Sequence, residues 1–122
     1  MFEFIKELKQ IGYLVPPTKI AGSTYRVINH IQFKDDIQLS IQCGEQSYCR
    51  PRKTLNIEDY EAYEIAFVKK GNFRKAKDII LDQILLKELE KHKASEGVYG
   101  YVPAKLVEKI YKYLTTNFRY KF

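Results

Sequence analysis

The sequence predicts an α+β domain in which an N-terminal antiparallel sheet has two longer C-terminal helices packed on it. Three observations predict it. Ile37, Leu39, Ile41 and Cys43 alternate with Gln38, Ser40 and Gln42, the period of a strand with one face buried. Residues 73–93 place Ala76, Ile80 and Ile84 in one row and Leu81, Leu85 and Leu89 in the next, the spacing of an apolar helix face. Strand-like segments come first and the longer helices last, an order that fits α+β better than alternating α/β. At 122 residues the chain is one domain, long enough to bury a single core.

Residues 2–11 read as a short helix with Ile5 and Leu8 on one face and Gly12 as its stop. Tyr13 to Val15 extend before Pro16 and Pro17 break regular structure, and Ala21, Gly22 and Ser23 are turn-like. Residues 25–33, rich in β-branched and aromatic side chains, predict a strand. Lys34, Asp35 and Asp36 make the hairpin turn into residues 37–43, since aspartate tolerates left-handed backbone and bonds to it locally. Residues 60–68 read two ways. Tyr63, Ile65 and Phe67 alternate as in a strand, while Glu61, Ala62, Glu64 and Ala66 suit a helix. The Gly71-Asn72 turn after it and the hairpin before it favour the strand.

The long helix of residues 73–93 has Asn72 as its expected N-cap, with Asp82 and Gln83 on its solvated side. Ser95, Glu96 and Gly97 end it. Val98 to Val102 form a short extended segment, and Pro103 opens the last helix, residues 103–115. Leu106, Val107, Ile110, Tyr113 and Leu114 form its apolar stripe, with Lys105, Lys109 and Lys112 outward. Residues 117–122 read as a frayed tail or an added strand. The apolar band Ile79, Ile80, Leu81, Ile84, Leu85, Leu86 and Leu89 is wider than one small sheet covers, so a homo-oligomer is expected.

Composition narrows the function classes. An apolar share of 45% with 30% charged residues is that of a soluble globular protein. No run approaches a membrane span, and Met1 to Phe4 lack the features of a signal peptide. The expected location is the cytoplasm, and no membrane partner is expected. Cys43 and Cys49 are too few for a disulfide framework and read as free thiols. With only His30 and His92 beside them, no metal-ligand spacing occurs and no metal or cofactor is expected. There is no glycine-rich phosphate loop, no GxSxG and no HExxH. Neither histidine has a partner at motif spacing, and Cys49 has no identifiable base. The chain does not read as an enzyme.

The most informative stretch is the loop between the two central strands. Arg50, Pro51, Arg52 and Lys53 supply three cations in four positions, and Pro51 restrains the backbone on either side of itself. Guanidinium groups bind phosphate bidentately, and Tyr48 can stack on a base or sugar face. The bland alternative is a solvated loop whose arginines pair with Asp59, Glu61 or Glu64. Tyr99 and Tyr101 flank Gly100, where the backbone can be approached closely by a ligand or partner; equally, both tyrosines can serve to cover the sheet. The expected ligand site is therefore Tyr48, Arg50, Arg52, Lys53, Tyr99 and Tyr101.

The order of elements, with SYCRPR at 47–52, YEAYEIAF at 60–67, the KGN turn at 70–72 and VYGYV at 98–102, resembles small accessory proteins of bacteriophages and prophages over residues 31–114. The resemblance lies in layout and short stretches and carries no ligand-contact residue across. Within that setting the chain is similar in size and layout to the Thoeris anti-defence proteins, which sequester a cyclic ADP-ribose signal between subunits. The resemblance implies a non-catalytic counter-defence protein in the host cytoplasm that binds a phosphate-bearing signal or a host defence protein.

A second reading keeps nucleic acid as the partner. Net charge is +6, which permits a polyanion but serves solubility equally. From Pro103 onward Lys105, Lys109, Lys112, Arg119 and Lys121 face only Glu108, with Tyr111, Phe118 and Tyr120 interleaved, a composition that suits single strands. No helix-turn-helix or other reading module occurs. A structural or regulatory protein with protein partners alone is the third reading.

Overall fold

The computed structural model describes residues 1–119. Helix α1 (Glu3–Ile11) stops at Gly12, whose φ of 71° suits the residue expected there. A ribbon of β1 (Tyr13–Ile20) and β2 (Ser23–Ile28) follows, turning through Ala21 and Gly22 at positive φ. The main antiparallel sheet runs β3 (Ile31–Gln32), β4 (Ile37–Gln42), β5 (Ala62–Lys69), β8 (Val98–Pro103) and β7 (Lys93–Ser95), with β6 (Asn72–Arg74) also on β5. Helices α2 (Gln83–Glu90) and α3 (Ala104–Phe118) complete the chain. The fold is α+β with antiparallel sheets, as expected. The sheet is central rather than N-terminal, because a helix stands at each end of the chain.

Strand β5 is the axis. It pairs with β4 along one edge, from Gln42↔Glu64 to Ile37↔Lys69. Its other edge takes β8 over Ala62 to Ala66 and β6 over Phe67 to Lys69. Side chains on both of its faces are buried: Tyr63, Ile65 and Phe67 on one, and Ala62, Ala66 and Val68 on the other. This explains its mixed signal, since a strand buried on two sides loses clean alternation. The strand reading of 60–68 holds, and so does the turn at Lys34 to Asp36, where Asp35 and Asp36 both take φ of 61°.

Other expectations are corrected. The predicted strand 25–33 is two strands in two sheets, parted at Asn29 and His30. Ile28, the last residue of β2, pairs with Tyr13 of β1 on one edge and has no strand on the other. The Gln42 side chain serves instead, its Oε1 accepting from Ile28 N at 2.9 Å and its Nε2 donating to Ile28 O at 2.9 Å. Pro16 and Pro17 do not break the chain; they lie within β1, whose outer edge needs no ladder donors and whose register slips between Val15 and Thr18.

The long helix predicted for 73–93 is only eight residues. Asn72 to Arg74 join the sheet edge instead, and a 3-10 turn over Ala76–Asp78 precedes the buried Ile79 and Ile80. Asp82, not Asn72, is the cap: its Oδ1 accepts from Ile84 N at 3.0 Å and Leu85 N at 3.1 Å. The apolar band is mostly absorbed by the core, which leaves Leu81 (74% exposed) and Ile84 (77%) on the surface.

Helices α1 and α3 cover the face of β5 that carries Tyr63, with Phe4 edge-on to the Tyr63 ring at 5.3 Å. The first turn of α1 is capped from across the molecule. Phe2 offers no side-chain cap; buried Glu108 of α3 accepts from Glu3 N at 2.8 Å and Phe4 N at 3.0 Å. No helix among the described residues is long and apolar enough to cross a membrane.

Candidate functional site

The loop from Cys43 to Tyr60 is braced by three side chains. Arg26, from the ribbon, donates to Cys43 O at 2.9–3.0 Å, to Leu55 O at 2.9 Å and to the Tyr60 hydroxyl at 2.9 Å. The Tyr60 hydroxyl in turn accepts from Leu55 N at 2.8 Å and donates to Lys53 O. Cys49 is buried, its thiol accepting from Gly44 N at 3.2 Å. Burial pushes both thiols up, Cys43 to about 12 against the partial opposition of Arg26. A thiol held protonated is a poor nucleophile.

The loop then crosses the end of the sheet. Arg50 N donates to Ala62 O at 3.1 Å and Glu61 N to Arg50 O at 2.9 Å, extending β5's edge by one bridge. Beside it Tyr101 N donates to Tyr48 O at 2.8 Å. These bonds bring four predicted site residues together. The Arg52 guanidinium lies 5.5 Å from the centre of the Tyr48 ring, that of Arg50 5.7 Å from Tyr101, and the two rings are 6.0 Å apart. All four side chains are exposed. Among the described residues no carboxylate forms an ion pair with Arg50, Arg52 or Lys53. The pairing with Asp59, Glu61 or Glu64 that would make this an ordinary solvated loop is absent from that set.

Tyr99 and Lys53 do not join the group. Tyr99 is buried, with its hydroxyl accepting from Ala76 N at 3.0 Å. A bulge separates it from Tyr101. Tyr63 pairs with Val102 and Ile65 with Tyr99, so β8 spends three steps where β5 spends two. Tyr99 and Val102 thereby both reach the core, and Tyr101, at φ 52°, turns outward. Lys53 is exposed, and only its carbonyl is tied into the loop. Gly100 is approached closely, but by this chain's own Tyr48: a Cβ there would stand 2.8 Å from the Tyr48 Cβ. The glycine is what lets the Tyr48 ring lie against β8.

Two further residues beside the platform lie outside the predicted ligand set. Glu64, on β5, accepts from Tyr48 N at 3.3 Å, and burial raises its pKa against the opposing pull of that N–H and of Arg52. Arg26 holds the loop in place. Glu64 occupies the polar step of β5's alternation, the one local sign of it; nothing in the sequence points to Arg26.

On the C-terminal face Lys105, Lys109 and Lys112 are exposed, with Lys109 3.8 Å from Glu88. The aromatic residues interleaved with them are engaged elsewhere. Tyr111 packs on Phe33, and Phe118 is half-buried against the core. Tyr120 and Lys121 lie outside the described residues. No group of three or more potential metal ligands converges among the described residues. No family model, curated protein or solved structure matches this chain.

Proposed function

We propose that the protein is a non-catalytic binding protein of the phage or prophage counter-defence kind, sequestering a phosphate-bearing, nucleotide-type signal in the host cytoplasm. One observation carries the reading: two guanidinium groups, free of ion-pair partners among the described residues, stand over two adjacent exposed tyrosine rings. Guanidinium groups supply forked donors for phosphate oxygens, and the phenol faces supply stacking surface for a ring. The resemblance in layout to signal-sequestering phage proteins supplies the biological setting. The C-terminal basic face supports nucleic acid less well, because Tyr111 and Phe118 are committed to packing.

The test is to purify the protein from infected or defence-active cells, denature it, and identify what is released by mass spectrometry. A released nucleotide is the expected result. Recovered nucleic acid, with binding that falls steeply with salt, overturns the reading in favour of a polyanion partner. Recovery of a bound host protein and no nucleotide overturns it in favour of a protein target.

Self-association belongs to the same reading. Leu81 and Ile84 remain exposed beside a groove whose α2 wall carries Asp82 and Glu88 and whose α3 wall carries Lys109 and Lys112. A second copy packed on this face would cover the apolar pair. Light scattering is expected to give a mass above the 14.4 kDa of one chain at micromolar concentration. A monomer there removes the oligomer from the proposal.

A further inference from the structure

The face of the sheet turned away from α1 and α3 is not flat. A concavity of about 260 Å³ opens there, floored by Ser40 and Gln42 of β4 and Glu64 and Ala66 of β5. Tyr25, from the ribbon over the β4 side, and Phe73, from β6 beyond β5, supply aromatic walls and are 39% and 66% exposed. The volume is below the roughly 300–1,000 Å³ of pockets that take a whole drug-sized ligand. It suits one ring of a larger ligand whose remainder lies outside.

The concavity and the arginine–tyrosine platform share a border. Ser47 and Glu64 line the concavity, and the Glu64 carboxylate is bonded to the backbone N–H of Tyr48, whose ring carries Arg52. The other polar side chains of the floor already have partners. Gln42 bonds Ile28 and Ser40, and His30 bonds Gln38 at 2.8 Å. Glu64 is different. One oxygen meets Tyr48 N, and no hydrogen bond engages the other among the described residues. An ionised carboxylate only accepts hydrogen bonds, so its complement is a pair of adjacent donors. A ribose diol presents such a pair, and so does the N–H edge of guanine.

We propose that this concavity seats the sugar or base of a phosphorylated nucleoside, with its paired donors on Glu64 and its phosphates on Arg50 and Arg52. The proposal rests on the reading of the arginine–tyrosine platform as a phosphate site. It adds the place and the contact that would distinguish a nucleoside phosphate from a simple polyphosphate. The aromatic walls favour a planar or ring-shaped group by contact area, and the carboxylate repels a phosphate that would otherwise enter the same space.

Calorimetric titration with pyrophosphate, ADP and GDP tests it on the wild-type protein and on Glu64→Gln. Glutamine keeps one acceptor for Tyr48 N but replaces half of the acceptor pair by a donor. Both nucleotides are expected to bind at least about tenfold more tightly than pyrophosphate, and Glu64→Gln to remove that gain without weakening pyrophosphate binding. A gain with ADP and GDP alike assigns the diol to Glu64; a gain with GDP alone assigns the guanine edge. If pyrophosphate binds and neither nucleotide binds better, or if the gain survives in Glu64→Gln, the concavity is not the nucleoside seat, although the platform still stands as a phosphate site. If none of the three binds, the platform reading fails and this inference with it. A thermal melt of Glu64→Gln close to wild type keeps a binding loss from being mistaken for unfolding.

Discussion

Replacing Arg50 and Arg52 together by alanine is expected to weaken pyrophosphate or nucleotide binding by about a thousandfold, with the fold intact. Hydrogen bonds from a charged donor contribute roughly 1.5–3 kcal/mol each, and two lost together account for that factor. Stability should fall by only about 1–2 kcal/mol, because exposed guanidinium–ring contacts contribute roughly 0.5–1 kcal/mol apiece. Neither arginine ties down the loop through its side chain. That work falls to Arg26, Tyr60 and the backbone of Arg50. The Arg50→Lys, Arg52→Lys pair keeps the charge but loses the planar fork, and should recover only part of the affinity. Titration calorimetry reads the affinities and thermal melting the stability. A double alanine variant that melts far below wild type would show that the arginines are structural, and the platform would lose its functional reading.

Glu108→Ala should lower stability by about 3 kcal/mol, a large loss for a single change at a charged residue. The variant removes the acceptor of two backbone N–H groups, those of Glu3 and Phe4, from a buried carboxylate. Charge-assisted bonds of this kind contribute roughly 1.5–3 kcal/mol each, and the orphaned N–H groups have limited access to water. A helix N-terminus also favours a negative charge beside it, which alanine removes. The midpoint of thermal unfolding should drop by roughly 10 °C or more. Glu3→Ala is the control: its side chain makes only an exposed contact with Lys6, and the change should cost less than about 0.5 kcal/mol. Equal melts for the two variants would mean that α1 is held by its apolar face alone.

The elements that the sequence announced are those whose signal is local. Alternation from Ile37 to Cys43 reports a strand because every second side chain shares one face. Gly12, the Lys34-Asp36 turn and the stripe from Leu106 to Leu114 are legible because their signals, too, lie within a few neighbouring residues. The site was half legible. Tyr48, Arg50 and Arg52 are close in sequence and drew notice through composition, while Tyr101 entered together with Tyr99. Those two have the same chemistry and nearly the same position, and only a one-residue bulge parts the core tyrosine from the exposed one.

Residues 72–82 show where local pattern misleads. Rows at i, i+4 were present, yet pairing with the free edge of β5 and the Asp82 cap confined the helix to eight residues. Local periodicity records which side of a segment is apolar, not which neighbour claims its backbone. By itself, then, the amino-acid sequence determined the α+β class, the principal strands, the terminal helices and the basic, aromatic loop. Tertiary structure alone decided the central place of the sheet, the amide of Gln42 standing in for a strand, the cap reaching Glu3 from Glu108 across 105 positions, and the meeting of Glu64 with the arginine–tyrosine platform. The last three are hydrogen bonds between groups far apart along the chain, and such a bond has partners only after the apolar faces have packed.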